Sequence, residues 1–229
     1  MSLSEAEIAR YARQLILPAY GPVTQEHLRA ARVHVVGAGE VAGPALLYLA
    51  AAGVGTLFVD DALDVAAEDP AAWLYSADQL GTPRLLAALE ALRAATSLSR
   101  PRAHATAADP TAVLVCASSG GLARTAAERA RVAGVPHVVA TAGGDGGEVI
   151  AVPPGAPCFA CAARTGSGAP VRPGVAAAVG ALGAVELLLI LSGASQGPGG
   201  RRIELVSGRP CSSATARVPG CACGQGRSA

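Results

Sequence analysis

Residues Arg32 to Asp61 read RVHVVGAGEVAGPALLYLAAAGVGTLFVDD, and their pattern decides the fold. Val33, Val35 and Val36 form an apolar run of strand length, of the kind that is buried on both faces. The glycine turn Gly37-Ala38-Gly39 follows, then a helical run from Pro44 to Ala52 that Gly53 and Gly55 stop. A second apolar strand, Thr56 to Val59, ends on Asp60 and Asp61. This order puts glycines where a phosphate approaches backbone and an acid where a ribose hydroxyl sits. On that reading Gly37, Gly39, Glu40, Ala42 and Asp60 line a nucleotide crevice. Ala42 stands at the third glycine position, which governs helix–strand packing and tolerates alanine. Glu40 opposes the reading, because a carboxylate facing the backbone amides repels phosphate. The alternative is a glycine turn kept for packing alone.

Working outward, Ser4 and Glu7 make a capping box for an N-terminal helix. Pro18 and Gly21-Pro22 break it, and a short helix restarts at Thr24 and runs to Ala31. Arg10 and Arg13 share a face of the first helix, as a solvated pair or as phosphate contacts. After the second strand, residues Asp64 to Leu80 read as a loop and Pro83 to Ala95 as an amphipathic helix. An edge strand is expected over Arg102 to Ala107, a buried strand over Thr111 to Cys116, and a helix over Leu122 to Ala133. A strand from His137 to Ala140 follows. The Gly143–Gly147 loop then leads to an antiparallel pair, Glu148–Val152 with Ile203–Ser207. Alternating strand and helix up to residue 140 implies a doubly wound, Rossmann-like α/β fold. The sheet is mostly parallel with an antiparallel edge. The whole chain, 1–229, reads as a single domain: a helical arm (4–31), a nucleotide-binding core (32–152), and a cysteine-bearing remainder (153–229).

Composition narrows the function. Hydrophobic residues make up 51% and charged residues 15%, which excludes a disordered chain. A net charge of +1 with few aromatics gives no footprint for nucleic acid. The apolar run Val175–Leu191 contains Gly180, Gly183 and Glu186 and is read as a buried core helix, not a membrane span. The polar, acidic opening Met1–Glu5 lacks the form of a secretory signal, so a cytoplasmic protein is expected. All 18 basic residues are arginine, so any phosphate contact falls to arginine.

Six cysteines in such a chain suggest metal ligands or free thiols rather than a disulfide framework. Cys158-Phe159-Ala160-Cys161 is a half-knuckle, and Cys221-Ala222-Cys223 stands near the C-terminus. Together they suit a tetrahedral structural zinc that tethers the tail, with Cys211 as a spare ligand. Free, oxidisable thiols are the other reading. The four histidines (His27, His34, His104, His137) show no convergent spacing, and His34 and His137 read as packed or edge residues in strands.

Taken together, Arg10-Tyr11-x-Arg13-Gln14, the glycine turn, Tyr48 to Gly55, the Cys158-x-x-Cys161 knuckle and Pro219-Gly220-Cys221 resemble the ThiF/MoeB family. That family comprises bacterial relatives of ubiquitin-activating enzymes. The resemblance implies ATP and magnesium as cofactors. It implies adenylation of the C-terminal glycine of a ubiquitin-like or sulfur-carrier protein, or of another peptide C-terminus. It also implies a homodimer or heterodimer in which Arg13 reaches the partner subunit's ATP. Arg13 and Arg84 are then the catalytic cations, with Arg84 standing where the family has lysine and Asp60 as the ribose acid. Other family positions are substituted. A gap-free count from Asp60 puts Glu68 and Ala71 on the family's Asn and Arg, and Ser118 replaces the magnesium-holding acid. Pro170 falls near the family's loop cysteine. The resemblance therefore implies a slow or inactive enzyme. The alternative is a non-catalytic subunit that pairs with an active relative or binds a carrier or leader peptide.

Overall fold

The central strand, β1 (Arg32–Val36), is almost wholly buried and carries the glycine turn at its C-terminal end. The computed structural model describes residues 3–18, 20–67, 69, 74–104, 109–116, 120–163, 171–194 and 199–224. Around β1 lie β2 (Thr56–Asp60), β3 (Arg100–Ala103), β4 (Ala112–Cys116) and β5 (His137–Gly143). These pair in parallel. β6 (Gly146–Val152), β7 (Arg201–Val206) and β8 (Arg209–Ala214) extend the sheet antiparallel. The strand order is β3-β2-β1-β4-β5-β6-β7-β8, so the order reverses between β1 and β4. In an open α/β sheet, ligand crevices form at that reversal, outside the carboxyl ends of the strands.

The helices divide between the two faces of the sheet. α1 (Glu5–Leu15) and α2 (Gly21–Ala30) make the N-terminal arm. The Ser4–Glu7 capping box starts α1 as expected. α2 begins at Gly21 rather than Thr24, because Pro22 in a first turn needs no N–H partner and is preset for helix. α3 (Ala42–Ala51), α4 (Arg84–Ala95) and α7 (Pro173–Leu191) bury the larger core against one face. α5 (Gly120–Val132) and the single turn α6 (Phe159–Ala162) cover a smaller core on the other.

α7 is long and apolar enough to cross a bilayer by length and composition. It lies instead on the sheet and against α3. A Cβ on Gly180 would stand 2.0 Å from the Val41 carbonyl oxygen, so glycine is what lets α7 seat on the start of α3. Its charged residue, Glu186, is buried and forms a bidentate pair with Arg201 of β7.

β8 was not expected from the sequence. Its residues are all exposed and include Pro210, so no apolar alternation marks it. An edge strand with one partner tolerates this composition. β3 begins two residues earlier than expected, and residues 105–107 of that expectation lie outside the described ones.

Candidate functional site

The glycine turn is fastened to its surroundings by the chain's own groups. Gly37 takes a positive φ of 94° and donates its N–H to the Asp60 carbonyl at 2.8 Å. A Cβ there would meet the Cys116 carbonyl oxygen of β4 at 2.2 Å, so Gly37 is needed for strand contact whether or not a ligand binds. The Ala38 N–H donates to the Asp61 carboxylate at 2.6 Å. The other Asp61 oxygen accepts from the Leu63 N–H at 2.8 Å. In the next peptide, the Ala38 carbonyl accepts from the Tyr75 hydroxyl. Burial raises the Tyr75 pKa, with the Asp61 charge adding to it, so Tyr75 stays a neutral donor.

Arg84, the first residue of α4, lies over this turn. Its Nη1 is 3.4 Å from where a Gly39 Cβ would stand. Its Nε donates to Asp69 Oδ2 at 2.9 Å, and the Asp69 side chain is only 2% exposed. The same Asp69 oxygen accepts from the Ala66 N–H at 2.8 Å. The cation expected to meet phosphate is therefore already in a buried ion pair. Glu40 lies in the turn two residues ahead of α3, where a carboxylate complements the helix N-terminus. Among the described residues, Asp61 and Asp69 bring their carboxylates to the turn and to Arg84. An arginine held by a buried carboxylate does not fit a tightly held triphosphate.

The expected site residues are only partly brought together. Gly37, Gly39, Glu40 and Arg84 belong to the turn region, and Ala42 is the first residue of α3. Asp60 is the exception. Its carboxylate lies 3.4 Å from His34 Nε2, alongside His34 and His104, while Asp61 reaches the turn. Two histidines thus converge on one acid, which their sequence spacing did not suggest. Arg13 sits on the exposed side of α1. Glu68, Ala71, Ser118 and Pro170 lie outside the described residues. Tyr75 and Asp69 went unread because nothing in a loop sequence marks which side chains fold back onto a turn.

The second centre is the cysteine cluster. Cys158 caps the start of α6, which carries Cys161, and a one-turn 3-10 helix, Ala222–Gly224, carries Cys223 beside Cys221. The four sulfurs all lie within 4.8 Å of one another. Cys158 and Cys161 are 3.8 Å apart, Cys158 and Cys221 3.6 Å, and Cys161 and Cys223 3.5 Å. A tetrahedral zinc with bonds of about 2.3 Å has sulfur–sulfur edges of about 3.8 Å, so the donor set fits such an ion. The Val218 N–H donates to Cys161 Sγ at 3.4 Å, as an amide does to a thiolate. Burial pushes Cys158 up to about 12, while the Cys223 backbone and neighbouring thiols hold Cys221 down to about 7. Cys211 lies exposed on β8 and takes no part in the cluster, contrary to its expected role as a spare ligand.

Strand order, glycine turn and helices on both faces define a doubly wound, Rossmann-like α/β protein. The chain belongs to the ThiF family, whose profile matches residues 11–206. It is similar to the probable adenylyltransferase/sulfurtransferase MoeZ of Mycobacterium tuberculosis, with 41% identity over 105 residues, covering 45% of this chain and 26% of that protein. It is equally similar to a sulfur carrier protein adenylyltransferase of Thermus thermophilus, with 41% identity over 105 residues, covering 45% of this chain and 39% of that protein. The chain thus spans roughly a quarter to two fifths of the length of these relatives. Among solved structures it resembles E. coli MccB with ATP, at a TM-score of 0.81 and 20% identity, covering 96% of this chain and 75% of that one. At that identity the likeness speaks for the fold.

Proposed function

We propose that this chain is a ThiF-family protein whose own adenylation activity is slow or absent, and which binds the C-terminus of a small carrier protein or peptide. The observation that carries the reading is the buried Arg84–Asp69 pair at the glycine turn. Adenylation develops negative charge on transferring phosphate, and oriented cations supply the stabilisation. A guanidinium already neutralised by a carboxylate gives up most of that. The contact of Asp61 with the Ala38 amide makes Asp61, not Asp60, the better match to the family's ribose acid. Counting from Asp61 moves the family's Asn and Arg positions onto Asp69 and Ala72, so the acid that neutralises Arg84 occupies a substituted family position. The cysteine cluster supports a structural zinc, which would hold the tail without touching the crevice.

The exposure of Arg13 favours a second role, as the subunit that lends an arginine to an active relative's ATP in a dimer. ATP–pyrophosphate exchange tests both readings. The chain alone, given magnesium and carrier proteins ending in Gly-Gly, gives background exchange. Adding it to an intact relative raises exchange, and Arg13→Ala removes the increase. Robust exchange by the chain alone would overturn the proposal.

A further inference from the structure

α5 turns three charged side chains toward the cysteine cluster. Arg124, Glu128 and Arg131 stand at i, i+4 and i+7 on that helix, so they share one face. Facing them are Cys158, Phe159 and Ala160 at the start of α6, which packs against α5. Between the two helices lies a cavity of about 200 Å3, lined by these residues and Ala127. One ligand of the cluster, Cys158, thus belongs to a wall that arginines complete.

Glu128 holds Arg131 in place. Its carboxylate accepts from the Arg131 Nε at 2.7 Å and from Nη2 at 2.5 Å, a bidentate contact. The pair is partly exposed, so it adds little to the stability of α5 itself. Arg131 also feels the cluster. Hydrogen bonding to Glu128 raises its pKa most, and the negative charges of Cys158 and Cys223 raise it further. Those two thiols belong to different segments, α6 and the tail, so Arg131 faces the junction that the cluster makes.

Four thiolates around a zinc ion make a dianionic centre. A half-buried double charge needs donors and cations around it. The Val218 N–H supplies one donor, to Cys161. We propose that Arg131, oriented by Glu128 and backed by Arg124, is the outer counter-charge of this metal centre and sets how tightly the cluster holds its ion. The proposal rests on the zinc reading of the cluster. Arg131 is not a ligand; it is a positioning residue that acts on the ion through the charge of the thiolates. A thiolate wall repels anions, so the same arginines do not make the cavity a site for an anionic ligand.

The test is the zinc affinity of the full chain, read by competition with a chromogenic chelator after zinc per chain is counted by mass spectrometry. Wild type is expected to hold a single zinc ion. Arg131→Ala is expected to weaken that hold about 10- to 100-fold, the usual cost of losing an outer-shell partner. Arg131→Lys keeps the charge and should restore most of the loss. Glu128→Gln removes the opposing charge while its amide oxygen still accepts from Arg131, so it should tighten zinc severalfold. Salt should narrow the gap between wild type and Arg131→Ala, because screening weakens an exposed charge. Both positions are partly exposed, and circular-dichroism melts at saturating zinc verify that each variant folds. Equal affinity of Arg131→Ala and wild type, or a loss in Glu128→Gln as large as in Arg131→Ala, would overturn the proposal and leave the zinc reading standing. A wild-type chain that binds no zinc would overturn both.

Discussion

Asp69 and Arg84 show what one residue decides. Both are largely buried, so removing one partner strands the other's charge. Arg84→Ala is expected to cost about 3–5 kcal/mol of stability by urea denaturation, the usual cost of an orphaned buried charge. Asp69→Asn should cost less than Arg84→Ala, because the amide oxygen still accepts from the Ala66 N–H. Equal losses would mean that the pair is not what holds the loop. Asp69 stands in a loop of mixed composition, and only the fold shows that it reaches Arg84. Glu40 stands out in the sequence because it interrupts a recognisable turn, and it lies in that turn just ahead of α3. Asp60 and Asp61, consecutive acids at a strand end, point to opposite sides, and the sequence does not say which of them faces the turn.

Elements were legible where periodicity and punctuation agreed. β1, α3 and β2 follow directly from apolar runs bounded by Gly37, Gly39, Gly53 and Gly55. β8 was invisible because an exposed edge strand buries nothing, and pattern reading depends on burial. α7 supplies the prediction at this scale. Gly180→Ala forces a methyl into the Val41 backbone and should destabilise by about 1–3 kcal/mol or more, as overpacking does. Gly174→Ala, near the start of the same helix, meets nothing within 4 Å and should stabilise by up to about 1 kcal/mol through helix propensity. Thermal melts of the two variants are expected to shift in opposite directions. An unchanged or raised melting temperature for Gly180→Ala would mean that the α7–α3 contact does not require glycine.

At the scale of the molecule, the cysteine cluster joins two distant stretches of chain, α6 beyond β6 and the tail beyond β8. The sequence spacing pointed to the cluster because paired thiols carry a strong local signature, whereas the His34–Asp60–His104 trio has none and exists only through strand register. Chelation, or Cys221→Ser, is expected to release the tail. Amide exchange should then rise across residues 215–224 while β1 and β4 stay protected. Unchanged exchange after metal removal would show that the tail is held without an ion. The central claim concerns the crevice, and calorimetric titration of the intact chain with ATP–Mg tests it most directly. Self-neutralised Arg84 predicts a Kd of about 1 mM or weaker, with Asp69→Asn tightening it about tenfold. Micromolar binding by the unaltered chain, or no gain from Asp69→Asn, would contradict the account.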